Sequence, residues 1–202
     1  MNNTLTRLAG YKASRGKEAQ SQEIFLDFCD NYGLVAEEIT GYENNRTMGD
    51  WTIGNRNIEV KSQNIGQYPA NFFELGEITT KDYHSTGWDK LVDLMNMNGV
   101  NMERYGNHPF FNFGFTPATN GATVVYVNRN TNLIYIYSAK TLIDMVAKAI
   151  ATKGIQIGLG KANKDTVSCF IPNSKVSFQK VNNEWVYNGA PELDVVLKAL
   201  GK

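Results

Sequence analysis

The spacing of apolar residues divides the chain into an opening helix, a set of short strands, and a later series of helices and strands. In KEAQSQEIFLDFCDNY (residues 17–32), Ile24, Phe25, Phe28, Cys29 and Tyr32 recur every three or four positions and Gly33 follows, which predicts a helix ending there. Short apolar runs bounded by turn residues predict strands at 34–38, 50–53 and 58–62, with a turn at 54–57, and a further strand at 71–75. The polar segment TGYENNRTMG (40–49) reads as a loop. Trp88, Leu91, Val92 and Met95 predict a helix over 88–97, whereas 98–121, rich in Asn, Gly and aromatic residues, reads as a long loop or an insertion.

The clearest strands are 122–127 and 133–137, β-branched and aromatic, joined by the turn NRNTN. A helix over 139–152 buries Leu142, Ile143, Val146, Ala149 and Ile150 and stops at Gly154. After the glycine-studded GIQIGLGKANKD (154–165) come strands near 167–171, 176–180 and 185–187, then a helix at 191–200. This is an α/β or α+β pattern around one sheet, without an internal repeat.

A length of 202 residues suits one domain, with a core over about 14–152 and an elaboration over about 153–202. The chain is 42% hydrophobic and 20% charged, which is the balance of a globular protein. Its zero net charge excludes bulk polycationic binding to nucleic acid but not a local basic surface. Residues 129–180 carry eight basic side chains against two acidic ones, and Arg7, Lys12, Arg15 and Lys17 open the chain without an acid. These two stretches can meet a polyanion, or can be no more than solvated faces. Two cysteines, Cys29 and Cys169, are too few for a disulfide framework or a cysteine-rich zinc site and suggest a reducing compartment. No apolar run approaches the ~20 residues of a membrane span, and the first residues lack an apolar signal core, so a soluble, cytoplasmic protein without a membrane partner is expected.

The chemistry concentrates in GDWTIGNRNIEVKSQ (49–63). Strand alternation puts Glu59 and Lys61 on one face and Ile58 and Val60 on the other. The turn at 54–57 can fold the preceding strand back, bringing Asp50 near Glu59. Two converging carboxylates repel and are costly to desolvate unless a cation joins them. Mg²⁺ or Mn²⁺ suits that position, taking Asp50, Glu59 and the carbonyl of Val60, with water and substrate phosphate completing its shell. Such a metal polarises a phosphoryl oxygen and acidifies its water, and Lys61 can hold that water and offset charge on the phosphate. Gln63 continues the same face and is a candidate for orienting substrate.

Asp50 followed by Glu59-Val60-Lys61 resembles the D-(x)n-E-x-K signature of the PD-(D/E)XK nuclease superfamily, which includes restriction-type endonucleases and Holliday junction resolvases. Arg15-Gly16 before Glu18 is similar to the Arg-Gly and helix Glu of the resolvases. The resemblance implies a restriction-endonuclease-like α-β-β-β-α-β core with a mixed central sheet and C-terminal β/α additions. It also implies a metal-dependent deoxyribonuclease with Asp50, Glu59, Lys61 and Glu18 as catalytic residues, Arg15, Lys17 and Gln63 on the DNA, and a homodimer where both strands are cut. Gly49 departs from the family's usual proline. Glu18 shares a stripe with Ser21, Phe25, Phe28 and Tyr32, whereas Glu23 lies with Asp27 and Asp30 on the wet side.

Two alternatives stay open. One is a nuclease-like fold that binds nucleic acid or assembles without cutting. The other is an unrelated α+β protein in which Glu59 and Lys61 form a surface ion pair of little worth. Glu74 reads as a surface acid, His84 and His108 as loop histidines, and 154–161 misses the spacing of a nucleotide-phosphate loop.

Overall fold

The computed structural model of the chain describes residues 16–63, 72–78, 87–159 and 165–202. In chain order its elements are α1 (Gly16–Tyr32), β1 (Ala36–Glu38), α2 (Tyr42–Met48), β2 (Trp51–Ile53), β3 (Arg56–Gln63), β4 (Phe72–Ile78), α3 (Gly87–Met97), a 3-10 turn (Glu103–Tyr105) and β5 (Phe111–Phe113). There follow α4 (Thr116–Thr119), β6 (Thr123–Asn128), β7 (Leu133–Tyr137), α5 (Ala139–Lys153), β8 (Gln156–Leu159), β9 (Asp165–Phe170), β10 (Val176–Val181), β11 (Glu184–Gly189) and α6 (Leu193–Leu200). These form two compact units: one of the described residues within 1–70, 117–140 and 173–202, the other of those within 71–116 and 141–172. The fold is mixed α/β.

The first unit is built on a mixed seven-stranded sheet in the order β1-β2-β3-β6-β7-β10-β11. Its neighbours are antiparallel except β3 and β6, which are parallel and aligned with Glu59 opposite Val124 and Lys61 opposite Tyr126. Strand alternation sorts the side chains. Trp51, Ile53, Ile58, Val60, Val125, Val127, Ile134, Ile136, Phe178 and Trp185 enter one core with Phe25, Leu26, Phe28 and Cys29 of α1 and Val196, Leu197 and Leu200 of α6. Burying each large side chain contributes about 1.5–3 kcal/mol. The rings meet edge-on: Phe28 lies 4.7 Å from Phe178 and 5.6 Å from Trp185. Asp27 stays partly exposed on the wet side of α1, with its side chain 46% exposed, but it is engaged there. Its Oδ2 accepts from Lys180 Nζ and from Trp185 Nε1, each at 2.8 Å, which ties the helix to the far end of the sheet. Lys180, counted above in a basic stretch, is thus engaged in an ion pair.

The second unit has an antiparallel sheet in the order β5-β4-β9-β8. Phe73 stacks on Phe115 at 4.5 Å, and Trp88 of α3 meets Phe111 edge-on. Arg104 donates to the carbonyl of Ile150, and the amide of Ile155 donates to Tyr105 Oη, fixing the 3-10 turn to the end of α5.

Three segments differ from the expected ones. The loop 40–49 contains α2, which lacks an apolar stripe and so leaves no periodic mark. The stretch 98–121 contains the 3-10 turn, β5 and α4, all too short to show a period. Residues Gln156–Leu159, expected within a glycine-rich loop, pair with β9 as a strand. Neither cysteine forms a disulfide, and both are buried. Among the described residues no helix is long and apolar enough to cross a membrane.

Candidate functional site

The site sits where β2 and β3 begin to part. Gly49 turns the chain with φ +113°, and its Cα lies so close to β3 that an added Cβ would fall 2.7 Å from the carbonyl oxygen of Ile58. Asp50 follows. Its amide donates to the carbonyl of Ile58 at 2.9 Å, although Ile58 is already aligned with Trp51. Two residues of one strand therefore face one of the other, as in a β-bulge, a device that re-aims side chains beside functional sites. The Asp50 Oδ2 then accepts the amide of Val60 at 2.9 Å. A carboxylate has taken the place of a main-chain carbonyl in the ladder, one residue from Glu59.

Glu59 and Lys61 share a face, as alternation requires, and Lys61 Nζ lies 2.5 Å from Glu59 Oε1. This is not a wet surface pair. Glu59 is 6% exposed and Asp50 9%, while the Lys61 side chain is 31% exposed. Val60 sends its side chain into the core and leaves only its backbone on the site. Two carboxylates and one ammonium group thus come from neighbouring positions largely withdrawn from water, where a charge is expensive unless it is balanced.

That donor set fits a hard divalent cation, which takes one or two carboxylates and fills its remaining positions with oxygen ligands such as water. Among the described residues no group of three or more His, Cys, Asp and Glu side chains gathers that could hold a metal ion, so any ion here would rely on Asp50, Glu59 and main-chain or water oxygens. Zinc-type ligation has no support here.

No protein-family model, curated protein or solved structure matches the chain. The functional reading therefore rests on the residues themselves.

Arg15 lies outside the described residues, as do the side chains of Lys17, Glu18 and Gln63; the backbones of Lys17 and Glu18 run in the first turn of α1, and Gln63 ends β3 opposite Asn128. Beyond Glu18 on the same stripe, Ser21 is buried as its phase predicts, at 1% exposed. Next to it, Gln22 is fully buried and accepts from Trp51 Nε1 at 2.5 Å, joining α1 to the residue after Asp50. Glu74 is exposed and belongs to the second unit. His108 pairs through Nε2 with the carbonyl of Tyr105 and packs on Trp88, an ordinary structural role, and His84 lies outside the described residues.

Tyr126 did not stand out in the sequence. It is aligned with Lys61 across the parallel β3–β6 pair, on the same face. Tyr135 is aligned with Tyr126 from β7, and the Tyr137 ring meets Tyr126 edge-on at 6.3 Å. No local signal reveals this, because β3 and β6 are separated by all of β4, α3 and β5 in the chain.

Proposed function

We propose that the chain is a Mg²⁺- or Mn²⁺-dependent endonuclease that hydrolyses phosphodiester bonds in DNA. The observation that carries this reading is the nearly buried Asp50 and Glu59 beside Lys61, on adjoining strands with Asp50 turned toward β3 by a bulge. An antiparallel β1-β2-β3 meander after α1, with β6 parallel to β3, supports the restriction-endonuclease-like α-β-β-β-α-β arrangement at its level of detail.

Asp50 and Glu59 would hold the metal together with the Val60 carbonyl, and when bound the ion would polarise the phosphate and acidify a coordinated water. Glu59 holds Lys61 in place through their ion pair, so the ammonium group is set beside the reacting phosphate. There it orients the attacking water and offsets the charge that develops as the new P–O bond forms and the bond to the leaving oxygen breaks. The bulge at Asp50 keeps its carboxylate from swinging away, which lowers the reorganisation needed for binding. Glu18 assists from α1, and Arg15, Lys17 and Gln63 contact the DNA in this reading.

The test is cleavage of plasmid, linear and branched DNA with Mg²⁺ or Mn²⁺ by the wild type, Asp50→Asn and Lys61→Ala. Cutting by the wild type and its loss in both variants is expected; equal behaviour of all three defeats the assignment. One observation favours a second reading, a nuclease-like fold that binds without cutting: the Asp50 carboxylate already has a ladder role on Val60 that needs no metal. Calorimetry with Mn²⁺ separates the two. Uptake that disappears in Asp50→Asn supports the enzyme, and DNA binding without uptake supports the binding protein.

A further inference from the structure

The face that carries Glu59 and Lys61 continues across β6 and β7 as tyrosines. Tyr126 is aligned with Lys61 and Tyr135 with Tyr126, so the three side chains form one row across neighbouring strands. In the next row Glu59 is aligned with Val124, and Val124 with Tyr137. Tyr137 is 4% exposed, and its hydroxyl accepts the amide of Ser174 at 3.0 Å. Tyr135 is half-buried, and its hydroxyl accepts from Asn173 Nδ2 at 3.1 Å. Tyr126 is half-buried too, with the fixed Tyr137 ring set edge-on against it at 81° between planes.

A packing role alone would be served as well by Val, which fills the neighbouring β6 positions Val124, Val125 and Val127. An aromatic ring, half-exposed, held by a second ring and placed beside a lysine, has the features by which proteins bind single-stranded nucleic acid. A flat surface stacks on a base while the adjacent cation meets the phosphate. A base paired within an intact duplex keeps both its faces stacked, so a protein ring reaches a base face only where the strand is unpaired.

We infer that Tyr126 is a substrate-binding residue that stacks on an unpaired base next to the phosphate held at Lys61, so that the preferred substrate is single-stranded or locally unpaired DNA. This rests on the phosphodiesterase reading for the position of the phosphate. It assigns Tyr126 to binding and gives it no part in holding the metal or moving protons.

The experiment measures binding of a fluorescently labelled oligo-dT, and of a blunt duplex of equal length, by fluorescence anisotropy in EDTA, so that nothing is cut. The wild type is compared with Tyr126→Phe, Tyr126→Trp and Tyr126→Leu, each checked by thermal melting, and cleavage of the same oligo-dT and of plasmid DNA with Mn²⁺ by the wild type is assayed in parallel. Stacking predicts that the single strand binds at least about ten-fold tighter than the duplex. It also predicts that Phe stays within about two-fold of wild type and Trp equals or exceeds it, while Leu loses about ten-fold. If the Leu variant fails to fold, the Phe and Trp variants still decide. A ten-fold loss in both overturns the stacking role, as does a flat series, equal affinity for duplex, or no binding by the wild type. Cleavage with a flat Tyr126 series sinks this inference and leaves the hydrolase standing; the stacking order without cleavage does the reverse.

Discussion

The amide of Val60 donates to the carboxylate of Asp50 at 2.9 Å, so an acidic side chain completes the ladder between β2 and β3. The proposed metal-binding role of Asp50 can be separated from this ladder role by substitution. Asparagine keeps an acceptor for the Val60 amide and removes the charge, so Asp50→Asn should change stability by less than about 1 kcal/mol while abolishing Mn²⁺ uptake. Alanine leaves a buried amide without its acceptor and should cost about 1–3 kcal/mol as well. Urea denaturation alongside metal titration checks both; equal destabilisation by the two substitutions would show that the ladder bond contributes nothing.

Lys61 balances a carboxylate that is almost out of water. Removing the cation takes one partner from a nearly buried carboxylate, and breaking a fully buried pair costs about 3–5 kcal/mol. Lys61 is partly exposed, so Lys61→Met should cost less, about 1–2 kcal/mol, and adding Glu59→Gln should recover part of it. A divalent ion at the site would also make good the missing charge. Mg²⁺ should therefore raise the melting temperature of Lys61→Met more than that of Lys61→Met/Glu59→Gln. An identical response of the two variants to Mg²⁺ would remove Glu59 from the metal site.

What was legible in the sequence was local. The Glu59–Lys61 pair follows from alternation alone, and the parting of Ile58 and Val60 from them follows from the same rule. The helix α1, the β2–β3 hairpin and the β6–β7 hairpin each have a strong period or a short turn between their halves. What escaped was non-local or aperiodic. The row from Lys61 to Tyr126 depends on which distant strand lies beside β3. The bulge at Asp50 depends on one backbone angle at Gly49. Asp27 is partly solvated, as helical phase implies, but its engagement by Lys180 and Trp185, which arrive from the far end of the chain, leaves no local mark.

Alkaline pH should weaken the fold through buried phenols and a buried thiol. Burial pushes the Tyr137 hydroxyl up from 10 to about 12 and the Cys169 thiol up from 9 to about 12. Both groups are neutral when protonated, and the native state holds their protons more tightly than the unfolded chain does. Their contribution is therefore complete below about pH 9–10 and is lost as pH climbs toward 12, with Tyr137 accounting for roughly 2–3 kcal/mol at most. Tyr137→Phe should be less stable at neutral pH, because Ser174 loses an acceptor, yet should fall less steeply between pH 10 and 12. Urea midpoints across that range test the slope, and Cys169 should resist thiol reagents at pH 8 until the protein unfolds. Parallel pH curves for wild type and Tyr137→Phe would contradict this account.

Gly49 should be among the least replaceable positions near the site. Its φ of +113° disfavours any side chain, and a Cβ there would approach the Ile58 carbonyl oxygen to 2.7 Å. Proline, which the PD-(D/E)XK pattern usually places before the acid, is excluded here because its ring fixes φ near −65°. Gly49→Ala should cost about 2 kcal/mol or more, and Gly49→Pro more still. Gly99 is the control: its φ is +74° with no atom within 4 Å of a built Cβ, so Gly99→Ala should show conformational strain without collision, about 1 kcal/mol. Because Gly49 sets the bulge that aims Asp50, its substitution should also weaken Mn²⁺ binding, whereas Gly99→Ala should leave it intact. Equal losses of stability in the two alanine variants, with metal binding unchanged in both, would mean that the close approach to β3 does not hold Asp50 in place.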